Sequence, residues 1–168
     1  MKTPSRRQML GMVAASAVMP SVVRAAAARE IMWEELIPPG VPYSEIIGEG
    51  DIDPVNDTWQ PVFDDNATKL NPALDGAYIR MPGYIIPLEF GTGGVREFVL
   101  VPYVGACIHV PPPPPNQLVF VTAQDPWPND DLWEAVWVTG EISHAIQQTE
   151  VAQTGYALLA DAMEVYQW

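Results

Sequence analysis

Apolar and polar residues alternate in short runs through the second half of the chain. Two runs rich in β-branched and aromatic residues flank Pro82-Gly83, and we expect one strand in each of them. The glycines between positions 91 and 94 predict a hairpin turn into a further strand, which ends near Val110. From Phe98 onward, apolar residues in that strand occupy both alternating sets, so both of its faces are expected to be at least partly buried.

Three more strands are predicted over 117–123, 134–142 and 156–166, with a short helix between the last two, over 142–151. Short strands with Gly and Pro at their corners and almost no helix favour a mainly β fold, either a barrel or a sandwich. The five-stranded Greek-key barrel of the oligonucleotide-binding (OB) type belongs to that class. We expect this architecture for residues 73–168.

The preceding segment, residues 29–72, is rich in Pro, Gly, Asp and Asn and has apolar residues only in short clusters. Such a composition predicts an irregular arm rather than a second domain. We expect the arm to wrap over the barrel, with a single helical turn at 33–36.

The first 28 residues have the pattern of a cleavable export signal, in which basic residues precede an apolar run from Met9 to Val23. That run is too short, and too interrupted by Pro20, to span a bilayer. The adjacent pair Arg6-Arg7 resembles the twin-arginine export consensus of bacteria. We therefore expect a periplasmic protein that is not inserted in the membrane once the signal is removed.

Charge narrows the classes of partner. The chain has 8 basic and 21 acidic residues, a formal net charge of −13. Removal of the signal would leave four basic residues against the same 21 acidic ones, a formal charge of −17. Such a field repels phosphate backbones and favours cations or cationic partners, so nucleic-acid binding is not expected.

One short segment holds the only cysteine, Cys107, and one of the two histidines, His109. If the segment is extended, both side chains lie on one face and can reach a single metal ion or each other. Thiolate and imidazole together prefer zinc or copper to hard cations. His144, carboxylates or water would have to complete the shell. A packed thiol, a reactive thiol and an intermolecular disulfide are open alternatives for the cysteine.

Five prolines, Pro111 to Pro115, follow this pair. Because proline has no N–H and a fixed φ, they predict a stiff polyproline II segment that ends the preceding strand. The segment could serve as a rigid rim of the Cys/His site, or as a rail that docks a partner. It could equally be a preordered crossover packed on tryptophans.

Enzymatic activity has no support in the sequence. A thioredoxin-like catalyst would need a second, resolving cysteine, and the chain has only one. No nucleophile elbow, phosphate loop or zinc-protease helix motif occurs. We expect a non-enzymatic protein, although a thiol-dependent enzyme or redox sensor is an alternative.

The stretches "LDGAYIRMPGYIIPLEF", "EFVLVPYVGACIHVPPPPPNQLVFV" and "TGYALLADAMEVY" together resemble a bacterial family of small exported proteins, domain-of-unknown-function family 3299 (DUF3299). The resemblance extends over about residues 33–166. It implies an OB-type barrel and an occurrence near transporter and metal-homeostasis proteins, zinc in particular. The matching motif positions here are Gly105, Ala106, Cys107, His109, Pro111, Pro112, Pro113, Pro114, Asn116 and Gln117.

Two functions are therefore predicted. The first is a periplasmic accessory protein that binds or transfers a soft transition metal, zinc or copper, through Cys107, His109 and, more weakly, His144. The alternative is a non-catalytic module that docks to a transporter or another envelope partner, with Cys107 only structural. Its partner-binding residues would be Pro111 to Pro114, Asn116 and Gln117.

Overall fold

The computed structural model describes residues 27–55, 58–89, 91, 93–106, 112–128 and 134–167. The predicted export signal lies almost wholly on residues 1–26, outside this part of the chain. No helix among the described residues is long and apolar enough to cross a membrane.

The described residues form eight strands and three short 3-10 helices. The strands are β1 (Arg29–Glu30), β2 (Ile46–Asp53), β3 (Thr58–Phe63), β4 (Ala77–Pro87), β5 (Val95–Val101), β6 (Val119–Trp127), β7 (Val136–Gln148) and β8 (Gln153–Val165). The 3-10 helices are Trp33–Leu36, Pro72–Leu74 and Pro115–Gln117. A mainly β fold with little helix is confirmed.

Six of these strands form one mixed sheet in the order β1-β4-β5-β6-β8-β7. Strand β4 also pairs with β7. The five strands β4, β5, β6, β8 and β7 therefore form a closed ring of pairings. All of these pairings are antiparallel except β1 with β4 and β6 with β8. Strands β2 and β3 form a separate two-stranded sheet. The described residues thus form eight strands in two sheets, whereas the sequence analysis expects a five-stranded barrel.

The predicted break at Pro82-Gly83 is wrong, because β4 continues through both residues. Pairing of β4 with β5 begins only at Tyr84, while Pro82 lies opposite Trp137 of β7. A proline is tolerated where one side of a strand has no neighbour that needs its N–H. A Cβ on Gly83 would lie 2.9 Å from the Trp33 ring, so this glycine lets the arm pack directly on the sheet.

The predicted helix over 142–151 is also wrong, because β7 continues to Gln148. Its ladder with β8 runs from the pair Val136–Val165 to the pair Gln148–Gln153. Ile142 is fully buried within it. Pairing along the whole length of β8 thus overrides the local helical tendency.

The core has two parts, one on each face of β5. Phe98 and Leu100 belong to the main apolar cluster, whereas Val99 and Val101 belong to a second, smaller one. The prediction that both faces of this strand are buried is confirmed. The predicted hairpin turn is confirmed as well, since Gly91 and Gly94 pair across it.

The arm is more regular than its composition predicts. Its single helical turn is confirmed as the 3-10 helix Trp33–Leu36, whose last residue is fully buried. The hairpin of β2 and β3 is not predicted by the sequence analysis. Its outer surface carries exposed apolar side chains, among them Ile47 and Ile52.

Candidate functional site: a cleft beside the polyproline segment

The residues of the predicted metal pair are outside the part of the chain that the structure describes. Cys107, His109 and Pro111 lie outside the described residues, so their roles stay predictions. Within the described ranges, no group of three or more His, Cys, Asp or Glu residues could hold a metal ion.

His144, the weaker predicted ligand, lies in a hydrogen-bonded network on β7. Its backbone N–H donates to Asp75 Oδ1 at 2.9 Å, and its ring Nε2 donates to the carbonyl of Asn71 at 2.9 Å. Its ring also meets the edge of Tyr156, with 5.6 Å between ring centroids. This network uses one ring nitrogen of His144, and its role as a metal ligand stays a prediction.

Tyr156 joins this network to the arm. The fully buried side chain donates its hydroxyl proton to the carbonyl of Leu36 at 2.6 Å and accepts the N–H of Asn71 at 2.6 Å. Burial raises the pKa of Tyr156 to about 12, so the hydroxyl stays protonated and keeps donating. Asn71 Nδ2 donates in turn to the carbonyl of Glu35 at 2.7 Å.

Asn116 and Gln117 fasten a second part of the arm. Asn116 Nδ2 donates to the carbonyls of Asn66 and Lys69, at 2.9 and 3.1 Å. Gln117 Nε2 donates to the carbonyl of Trp33 at 3.0 Å. Asn116 is fully buried and Gln117 is 4% exposed. Their amide groups therefore bind this chain itself, and their predicted contact with a partner stays a prediction.

We call these two groups of contacts, one around Asn71, His144 and Tyr156 and one around Asn116 and Gln117, the arm lock. Gly155 allows the lock to close, since a Cβ at this position would lie 2.8 Å from the carbonyl oxygen of Pro115. The lock holds the arm across the sheet and thereby positions the hairpin of β2 and β3.

A cleft of about 420 Å³ lies between that hairpin and the polyproline segment. From the arm it is lined by Gly50, Asp51, Trp59, Gln60, Pro61, Val62, Phe63, Asp64, Asp65, Ala67 and Thr68. From the remainder of the chain it is lined by Pro112, Pro113, Pro115, Leu118, Gln148, Ala152 and Gln153. The lining thus combines aromatic and proline rings with carboxylates and side-chain amides.

The cleft is acidic. Asp51, Asp64 and Asp65 line it, and none of its described lining residues is basic. A hydrogen bond from Ser44 Oγ, at 2.7 Å, and the N–H of Asn66, at 2.9 Å, lower the pKa of Asp64. Asp64 is therefore a structural anion at the base of the hairpin. Asp51 and Asp65 are exposed and free to meet a cationic ligand.

The polyproline segment contributes to the cleft only in part. Pro112 and Pro113 line it, whereas Pro114 is buried outside the lining set. All three are buried, so they form a fixed wall and not an exposed rod.

The opposite wall of the cleft, strand β3, is not predicted from the sequence. The residues "TWQPVF" have the β-branched and aromatic content typical of a strand, which is the signal that could have revealed it. Pro61 and the surrounding composition of the arm favoured irregular structure instead.

Comparison with known proteins gives a family. A sequence model of the family described as "Protein of unknown function (DUF3299)" matches residues 33–165. The chain is also similar to the crystal structure of a DUF3299 family protein from Pseudomonas aeruginosa PAO1, with 36% identity and a TM-score of 0.71. That match covers 85% of this chain and 99% of the other. None of the curated proteins matches.

Proposed function

The chain belongs to the DUF3299 family, as its sequence resemblance predicted, and from its own cleft we propose that it is a non-catalytic binding module. Its ligand is a basic, partly apolar segment of another protein. The observation that carries the proposal is the combination, in one 420 Å³ cleft, of aromatic and proline walls with carboxylates and no basic residue among its described lining.

The walls favour binding because they are preordered. The prolines have fixed backbone angles, and the arm lock holds the opposite wall through buried hydrogen bonds. The protein therefore loses little conformational entropy when a ligand binds. Trp59 adds a large apolar surface that is only half-buried, and its indole N–H is already bonded to the carbonyl of Glu49.

Charge selects the ligand. The exposed carboxylates of Asp51 and Asp65 and the formal charge of −13 attract lysine and arginine side chains and repel acidic ones. A second cavity, of about 510 Å³ beside the β4–β5 turn, has Arg96 in its lining and no aromatic ring among its described lining residues. This second cavity is lined by both acidic and basic residues and lacks the aromatic wall of the cleft.

Two further parts of the proposal concern fold type and location. The ring of pairings through β4, β5, β6, β8 and β7 supports a Greek-key barrel of OB type. The signal-like pattern of residues 1–28 supports export to the periplasm, where the partner would be an envelope protein such as a transporter.

The test uses an acetylated and amidated pentapeptide in which lysine alternates with valine, titrated into the ¹⁵N-labelled protein. We expect saturable amide shifts that map to the cleft, and no such shifts with the matched peptide in which glutamate replaces lysine. The variant Asp51→Asn/Asp65→Asn should bind the lysine peptide about three- to ten-fold more weakly, the sum of two exposed ion pairs.

The control variant is Asp125→Asn/Glu141→Gln. It removes two exposed charges outside the cleft and changes the net charge by the same amount. It should therefore retain the wild-type affinity. Equal weakening in both variants would assign the attraction to net charge alone, and no binding of the lysine peptide would overturn the proposed function.

Soft-metal binding through Cys107 and His109 is a second proposal, supported by their spacing of two residues in the sequence. Zinc titration with native mass spectrometry tests it. One zinc ion per chain is expected for the wild type, and loss of that ion for Cys107→Ala/His109→Ala. Equal, weak binding by both proteins would overturn it.

A further inference from the structure

The lining of the cleft includes five consecutive residues of β3, from Trp59 to Phe63. Successive side chains of a strand point to opposite faces, so a cavity that lies over one face is lined by every second residue. An uninterrupted run of five indicates a cavity that lies along the edge of the strand. The cleft therefore exposes the backbone of β3 as well as its side chains.

The pairing of β3 with β2 shows which backbone groups face the cleft. The N–H of Asp64 donates to the carbonyl of Glu45, and the carbonyl oxygen of Gln60 lies against Gly50. Backbone groups of alternate residues point to the same side of a strand. Gln60, Val62 and Asp64 therefore face β2.

The residues between them, Trp59, Pro61 and Phe63, direct their backbone groups the other way. In the described part of the chain, β3 pairs with β2 alone, so this second edge has no strand partner. It offers the N–H groups of Trp59 and Phe63 and three carbonyls. Pro61 has no N–H. Proline is typical of edge strands, at positions where the N–H would not bond within the sheet.

The proline part of the opposite wall cannot provide the same hydrogen bonds. Pro112, Pro113 and Pro115 have carbonyls but no backbone donors. An extended ligand in the cleft would thus form its ladder with β3 and pack its other side on proline rings. The edge from Trp59 to Phe63 spans about 13 Å at roughly 3.3 Å per residue, the length of a five-residue strand.

We infer that the cleft takes its ligand by strand addition: an extended basic segment of another protein becomes a third strand on the free edge of β3. This inference rests on the proposed function and specifies its binding mode. Main-chain hydrogen bonds provide attachment, and Asp51 and Asp65 select basic side chains at the rim.

Charge argues against a second copy of the chain as the added strand. Two copies joined at β3 would bring both sets of Asp51, Asp64 and Asp65 together, in molecules that each carry a formal charge of −13. Like charges in such proximity oppose pairing. A basic segment neutralises the same groups.

The experiment is an N-methyl scan of the lysine–valine pentapeptide against the full chain, followed by amide shifts. Each peptide N–H is methylated in turn. Strand addition predicts alternation: methylation at positions that face β3 weakens binding about three- to ten-fold, and methylation at the intervening positions has little effect. The amide protons of Trp59 and Phe63 should move downfield on binding, while those of Gln60 and Val62 stay nearly unchanged.

The outcomes separate the inference from the proposed function. If the unmethylated peptide binds but the scan shows no alternation, strand addition is overturned and the binding module stands. If no peptide binds, both are overturned. If the amides of Trp59 and Phe63 move when the protein is concentrated without peptide, the added strand is a second copy, and the inferred partner is overturned.

Discussion

The arm lock and the cleft use the same arm in opposite ways. In the lock, the side chains of Asn71, Asn116, Gln117 and Tyr156 hydrogen-bond groups within this chain and are buried. In the cleft, the outer edge of β3 has no strand partner among the described residues. Polar groups that are paired internally stabilise the fold, whereas an ordered edge without a neighbour is available to a ligand.

The largest expected effect breaks the lock at Asn116. Asn116→Leu keeps the volume of the side chain but removes the donors to the carbonyls of Asn66 and Lys69. We expect the free energy of unfolding to fall by about 3 kcal/mol, because two hydrogen bonds from a fully buried side chain are lost. Urea denaturation measures it, with the exposed Gln124→Leu as control. A loss no larger than that of the control would contradict the role of Asn116.

The second prediction concerns pH. The pKa of Tyr156 is about 12 in the folded protein, against an ordinary value of 10.0. The folded state therefore favours the protonated hydroxyl. The resulting contribution to the free energy of unfolding is complete below pH 10. It is lost as the pH rises from 10 to 12, because the Tyr156 hydroxyl ionises at lower pH in the unfolded chain than in the folded protein.

The expected loss over that range is on the order of 2 kcal/mol. Thermal or urea unfolding at several pH values measures it. Tyr156→Phe should be less stable at neutral pH, because Asn71 and Leu36 lose a partner, yet its stability should decline less between pH 10 and 12. Parallel curves for the two proteins would assign the alkaline loss to other groups.

A smaller effect sharpens the role of the cleft. Pro61→Ala adds an N–H to the free edge of β3, at a position without a donor. If ligands add as strands, the lysine–valine pentapeptide should bind about three-fold more tightly, close to the value of one added hydrogen bond. If only side chains bind, loss of the proline ring should weaken binding. The sign of the change, measured by peptide titration, decides between the two.

Salt should produce the smallest effect, and only in the cleft. Raising the salt concentration from 50 to 500 mM screens the exposed pairs made by Asp51 and Asp65, so peptide affinity should fall about two-fold. The lock consists of buried, mostly neutral hydrogen bonds, so the free energy of unfolding should change little. A salt-dependent stability that matches the change in affinity would remove the distinction between the two regions.

Local sequence patterns predicted those elements whose residue types directly reflect their burial. The two apolar sets around Phe98 and Val99 predicted a strand buried on both faces, and the helical turn at 33–36 was also predicted. The full length of β7 was not, because its last residues are held by pairing with β8 and not by their own propensity.

The cleft could not be predicted in the same way. It forms where β3 comes near Pro112 and Pro113, about fifty residues further along the chain. Nothing local to either segment reports that proximity. The sequence did indicate a rigid proline segment, yet the burial of Pro112 and Pro113 depends on residues distant in sequence.

The bond between Tyr156 and Leu36 joins residues 120 positions apart. The arm is synthesised first, but the hydroxyl that secures it belongs to the last strand. During synthesis the arm can contact Asn116 and Gln117 first, but the bond to Tyr156 can form only when nearly the whole chain has emerged from the ribosome. The cleft proposed to bind a ligand is therefore complete only when the last strand has been made, because Ala152 and Gln153 belong to its lining, although β3 itself is made early.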